Sequence, residues 1–166
     1  MKRRFPDLPK WWTAKTPPNP RLLGHLGEES LTGQDEHPII WLVEGASDYL
    51  ATVHLMTVGN DRHPVVAALG ATRLTDTATM LIPQTIMLVI IADGDKVGWR
   101  QAAAAKKAAG EVADLDRQDV IMLTPPAGED LGSLVRRTEP GKVLHDISTA
   151  ALEALDRDEG IAKIVA

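Results

Sequence analysis

No cysteine occurs among the 166 residues. Disulfides, thiolate-bound zinc and cysteine-ligated iron–sulfur clusters are therefore excluded. Aromatic residues are few, with one Phe, one Tyr and four Trp. Long apolar runs are absent as well. The two strongest, residues 39–43 and 86–92, fall far short of the roughly 20 residues a membrane-spanning helix needs. The N-terminus has no apolar segment of the secretory kind. These absences lead to the expectation of a cytoplasmic protein with no membrane association.

What is present suits a single globular domain: 44% hydrophobic residues and ordinary charge content. Net charge is −5, which argues against a protein that coats DNA wholesale. The charge is uneven, however. Lys2, Arg3, Arg4, Lys10, Lys15 and Arg21 face only Asp7 within the first 25 residues. A basic arm on an acidic body is either a phosphate contact or a solvated tail.

Residues 1–38 are rich in Pro, Gly and charge, and Thr16-Pro17-Pro18-Asn19-Pro20 cannot form regular helix or central strand. Order is expected from Ile39 onward. Apolar runs at 39–43, 64–69, 86–91 and 120–123 read as buried strands. Helices are expected from Ser47 or Asp48 to Met56, from Thr75 or Asp76 to Ile82, from Trp99 to Ala109 with Gly110 closing it, and over 130–137 and 145–157. Strand–helix alternation predicts an α/β fold with a mainly parallel sheet of about four strands flanked by helices. The expected division is a lead-in over 1–38, a core over 39–140 and a C-terminal helical segment over 141–166.

Acidic residues sit where strands stop. Glu44, followed by Gly45, ends the first strand; Asp93 and Asp95 flank Gly94 after the third. In open parallel sheets, ligands gather beyond the carboxyl ends of strands at a switch in strand order. Neighbouring first and third strands would bring the three carboxylates together. Converging carboxylates require protons or a divalent cation. Oxygen donors without soft ligands favour Mg²⁺ or Mn²⁺. Gly94 is expected to let the backbone turn so that both aspartates face one metal. Gly98 keeps the next helix start open, and Lys96 and Arg100 supply positive charge for a phosphate.

Four blocks, in order, resemble the TOPRIM family and within it the DnaG-like primases of bacteria and phages. Val43-Glu44-Gly45-Ala46-Ser47-Asp48 resembles Val-Glu-Gly-x-x-Asp. Ala67-Ala68-Leu69-Gly70-Ala71-Thr72 is similar to the Ala-x-x-Gly-Thr turn. The segment from Ile91 to Ala103 resembles Asp-x-Asp-x-x-Gly-x-x-Ala-Ala, and Leu123 to Asp130 resembles Leu-Pro-x-Gly-x-Asp. Residues 10–14 and 23–24 are similar to the segment that leads into the primase core. The resemblance implies a Rossmann-like fold in which Asp93 and Asp95 bind Mg²⁺ or Mn²⁺. It implies that Glu44 joins the metal network or moves a proton, and that Asp130 holds further metal. Gly132 stands where the family often has a second acid. The implied activity is nucleotidyl transfer in DNA replication (RNA primer synthesis), with DNA or RNA, nucleotides, and a helicase or further primase domains as partners and a phage or mobile element as source. Thirty-eight leading residues cannot supply the upstream primase subdomain, so the chain reads as a lone TOPRIM module, a fragment or a protein needing partners. Its activity as an isolated enzyme is left open.

The alternatives are a TOPRIM nuclease and a non-catalytic module that binds nucleic acid or a partner. A topoisomerase ranks last, because there is no room for a tyrosine-bearing domain; the sole tyrosine, Tyr49, falls on the predicted first helix. Trp11 and Trp12 either stack on bases or pack internally. Arg73 is a phosphate contact or a surface ion-pair member. His25, His37, His54, His63 and His145 show no metal-ligand spacing. Lys106 and Lys107 read as a solvated helix face, and Asp48 as a helix cap or outer partner of the metal site.

Overall fold

The computed structural model describes residues 23–24, 37–60, 63–70, 73–114 and 116–165. The basic arm, Trp11 and Trp12, His25 and the Ala71-Thr72 end of the second block lie outside the described residues. Elements run β1 (Leu23–Gly24), β2 (His37–Val43), α1 (Ala46–Val58), β3 (Val65–Ala67), α2 (Leu74–Leu81), β4 (Thr85–Ile91), α3 (Lys96–Val112), β5 (Asp119–Thr124), α4 (Leu131–Arg137), α5 (Pro140–Leu155) and β6 (Ile161–Lys163).

The strands form one sheet in the order β1-β3-β2-β4-β5-β6. The five from β2 to β6 are parallel, and the two-residue β1 adds antiparallel at one edge. The sheet is thus larger than the four strands expected. β6 escaped notice because Ile161-Ala162-Lys163 is three residues long and carries little periodicity.

Side-chain alternation along each strand divides the core between two faces. Trp41, Val43, Val89, Ile91, Ile121 and Leu123 pack with α1, α4 and α5. Ile40, Leu42, Leu88, Ile90 and Met122 pack with α2 and α3. Strands covered on both sides have no polar face to show, which explains their unbroken apolar runs. α3 meets the sheet through Ala102, Ala105 and Ala109, all fully buried. These small side chains let the helix approach closely.

Helix boundaries shift for identifiable reasons. α1 starts at Ala46 behind Gly45, whose carbonyl accepts from Tyr49 N (3.0 Å), so neither Ser47 nor Asp48 is its cap. α2 begins behind Arg73 and yields to a 3₁₀ turn, Ile82–Gln84, at Pro83. α3 starts three residues before Trp99 because Asp95 caps it, and it runs through Gly110. α5 starts at Pro140, a residue suited to the first helical turn. β3 stops before Leu69, which takes a left-handed φ of 52° and cannot continue a strand.

In strand order the chain passes from β2 outward to β3, then returns across β2 to β4. β2 and β4 are therefore neighbours, with Val43 opposite Ile91. That is the switch point where the sequence places its acids.

Candidate acidic site at the sheet switch point

Glu44 leaves β2 one residue beyond that last pair, and Asp93 leaves β4 two residues beyond it. The β3 turn is fastened to the same place: Ala68 N donates to Val43 O (3.0 Å) and Gly70 N to Glu44 O (3.3 Å). The loop after β5 arrives from the other side. Gly94 N donates to Glu129 O (2.7 Å), and Gly128 N donates to Gly94 O (2.8 Å). A Cβ on Gly94 would collide with the carbonyls of Pro126 and Glu129 and lie 2.9 Å from Glu129 N. Gly94 does not take a positive φ, so glycine is required here for close approach and not for the backbone turn expected from the sequence. Gly98 serves α3 similarly, because a Cβ there would meet Asp93 Cβ at 2.5 Å.

The aspartates divide into two kinds. Asp95 caps α3, its Oδ1 accepting from Val97 N (2.8 Å) and Gly98 N (2.7 Å). Asp130 caps α4 in a capping box with Ser133, and Arg136 stands 4.0 Å from its Oδ1. Each cap uses Oδ1 and leaves Oδ2 without a hydrogen bond among the described residues. Asp93 and Glu44 are half-buried and receive no hydrogen bond or ion pair there. Asp48 lies 5% exposed and accepts from Gly132 N (3.3 Å), joining the starts of α1 and α4.

The fields of these groups overlap. Asp93 is pushed up to about 6, first by burial and then by Asp48, Glu44, Asp130 and Asp95. Burial also raises Glu44, followed by the charges of Asp48 and Asp95. Burial raises Asp48 despite the stabilising amide of Gly132, with Asp130 adding to the rise. Five carboxylates thus share one strand-end region, although among the described residues no group of three His, Asp or Glu side chains is placed to hold a metal ion. Hard oxygen donors, raised proton affinities and free Oδ2 atoms suit an open Mg²⁺-type site, which needs only one or two carboxylates beside water or phosphate.

The basic residues lie farther out. Lys96 and Arg100 are exposed on the first turns of α3, and Arg73 is exposed at the start of α2. None of the three forms an ion pair with the acids among the described residues. Lys107 is solvated beside Glu111 (3.9 Å), whereas Lys106 lays its side chain over the Gly160 turn. Two features were not singled out from sequence. Glu129 anchors the loop through Arg137 (2.6 Å), and no spacing rule marks it. Trp99 stands 46% exposed on α3 beside the acids; its position four residues after Asp95 is a helical-face signal that was open to reading. Among the described residues, no helix is long and apolar enough to cross a membrane.

The Toprim-like family signature matches residues 41–135. No curated protein matches the chain significantly. Among solved structures, a DnaG primase catalytic domain bound to ssDNA is similar at 26% identity and TM-score 0.53, over 69% of this chain and 34% of that one. A DnaG catalytic core gives 23% and 0.52, over 76% of this chain and 43% of the other. A DNA primase domain from Pseudomonas aeruginosa gives 24% and 0.50, over 73% and 39%. The chain spans less than half the length of each of these structures. A parallel sheet with its acids at the switch point, matched through the span that carries Glu44, Asp93, Asp95 and Asp130, makes this chain a member of the Toprim-like family, with a TOPRIM domain similar to those of DnaG primase catalytic cores.

Proposed function

We propose that the chain is a primase-type nucleotidyl-transfer module, dependent on Mg²⁺ or Mn²⁺, acting on nucleotides and a DNA or RNA strand. The observation that carries this reading is the overlap of the fields of four carboxylates on Asp93, a half-buried acid with no ion-pair partner among the described residues. Asp93 and Asp95 would hold the ion, with Asp130 at its margin. A divalent ion held there would supply Lewis-acid polarisation of a phosphate and offset developing negative charge. Glu44, its proton affinity raised, would accept a proton from an attacking 3′-hydroxyl. Lys96, Arg100 and Arg73 would meet phosphates, while Gly45, Gly94, Gly98 and Asp48 hold the frame. The division into a lead-in over 1–38, a core over 39–140 and a segment over 141–166 belongs to the same reading, as do further primase domains or a helicase as partners.

The test is primer synthesis from nucleoside triphosphates on a single-stranded template, with and without added primase domains. Synthesis that requires Mg²⁺ or Mn²⁺ and disappears in Asp93→Ala supports the proposal. Metal-dependent strand cleavage in its place would reassign the chain as a nuclease. Binding with neither activity would make it a non-catalytic module.

A further inference from the structure

Trp99 combines features that the acidic site does not account for. It is a large aromatic residue left 46% exposed. It sits one helical turn after Asp95, and its backbone N–H donates to Asp95 O (3.0 Å). It borders a groove of about 460 Å³ shared with Asp93, Gly94, Asp95, Pro126 and Lys163. That size falls within the roughly 300–1,000 Å³ of small-molecule sites. It also lines an adjoining cleft with Gly94, Asp95, Lys96 and Arg100. A third hollow beside it is lined by Glu153, Asp156, Asp158 and Glu159 together with Arg157 and Lys163, a net-acidic set that disfavours a phosphate chain.

We propose that Trp99 is the base-stacking platform of a nucleotide site whose phosphates lie between the Asp93–Asp95 acids and the Lys96–Arg100 cations. The inference rests on the metal and phosphate site proposed above and names its ligand as a nucleoside triphosphate. One helical turn is about 5.4 Å, a spacing that suits the phosphate and base of a single nucleotide. An aromatic face accepts any base, because every base has a π-face. Trp99 is thus a positioning residue that holds the base without selecting it.

The test compares ATP with inorganic tripolyphosphate, in Mg²⁺, on the full chain and on Trp99→Ala and Trp99→Phe, with folding checked by circular dichroism. Wild type is expected to bind ATP about tenfold more tightly than tripolyphosphate, in line with stacking on one aromatic ring. Trp99→Ala should erase that preference while binding tripolyphosphate as before, and Trp99→Phe should keep most of it. An ATP preference that survives in Trp99→Ala overturns the proposal. So does an equal loss for both ligands. If wild type binds tripolyphosphate but shows no preference for ATP, the platform fails and the phosphate site stands. If neither ligand binds, the underlying site fails and the platform with it. Tighter, Trp99-dependent binding of a single-stranded oligonucleotide than of ATP also overturns the assignment, because the base would then belong to a strand.

Discussion

Asp93→Asn should stabilise the protein whenever metal is withheld. Asparagine keeps the shape of the side chain and removes the charge that burial and four neighbouring carboxylates penalise. A carboxyl whose proton affinity is higher in the folded than in the unfolded chain contributes stability that is complete below its unfolded value. The contribution is lost as pH rises through its folded value. For Asp93 those values are 3.8 and about 6. The full displacement corresponds to about 3 kcal/mol at 1.36 kcal/mol per pH unit. Asp93 keeps part of its surface in water, so screening reduces the expected gain to about 1–2 kcal/mol, roughly 3–6 °C in melting temperature for a chain of this size. The assay is thermal unfolding in EDTA from pH 4 to pH 8. The variant and wild type should melt together near pH 4 and separate through pH 6, with the variant higher at pH 7.5. A variant that melts at or below wild type at pH 7.5, or a gain equal at every pH, would refute the electrostatic account.

Saturating Mg²⁺ at pH 7.5 should raise the melting temperature of wild type and leave Asp93→Asn nearly unmoved, because an ion that binds only the folded state stabilises by mass action; equal upward shifts would place the ion elsewhere. Gly94→Ala should cost about 1–3 kcal/mol in denaturant unfolding, since its methyl overlaps the Pro126 and Glu129 carbonyls; a neutral result would contradict the close approach of the two loops. Asp130→Ala should cost about 0.5–2 kcal/mol through loss of the α4 cap, and Asp130→Ser, able to cap, should recover most of it.

The sheet was legible because the cores of β2 and β4 are covered on both faces, and such strands declare themselves as unbroken apolar runs such as Leu88 to Ile91. The acids were legible because they stand at strand ends next to glycines that tolerate close packing. What stayed hidden depends on partners distant in sequence. Asp48 shows as a cap on local rules, yet it accepts from Gly132, 84 residues away. Gly94 invited a conformational explanation, and the real one is the carbonyl of Glu129 pressed against it. Asp95 carries the pattern of a metal ligand, and its local duty as the cap of α3 sets that helix start three residues earlier than Trp99. The strand β6 is too short for periodicity to speak.

The paired hydrogen bonds between Gly94 and the 128–129 backbone carry a further consequence. They rivet the turn after β4 to the turn after β5, so the stretch bearing Asp93 and Asp95 and the stretch bearing Asp130 travel as one plate. The spacing of those acids is then tuned by side-chain rotation alone, against a backbone that behaves as a single cooperative unit. The Gly94 and Gly128 amides should exchange with solvent at a common rate, and loosening either one should release both.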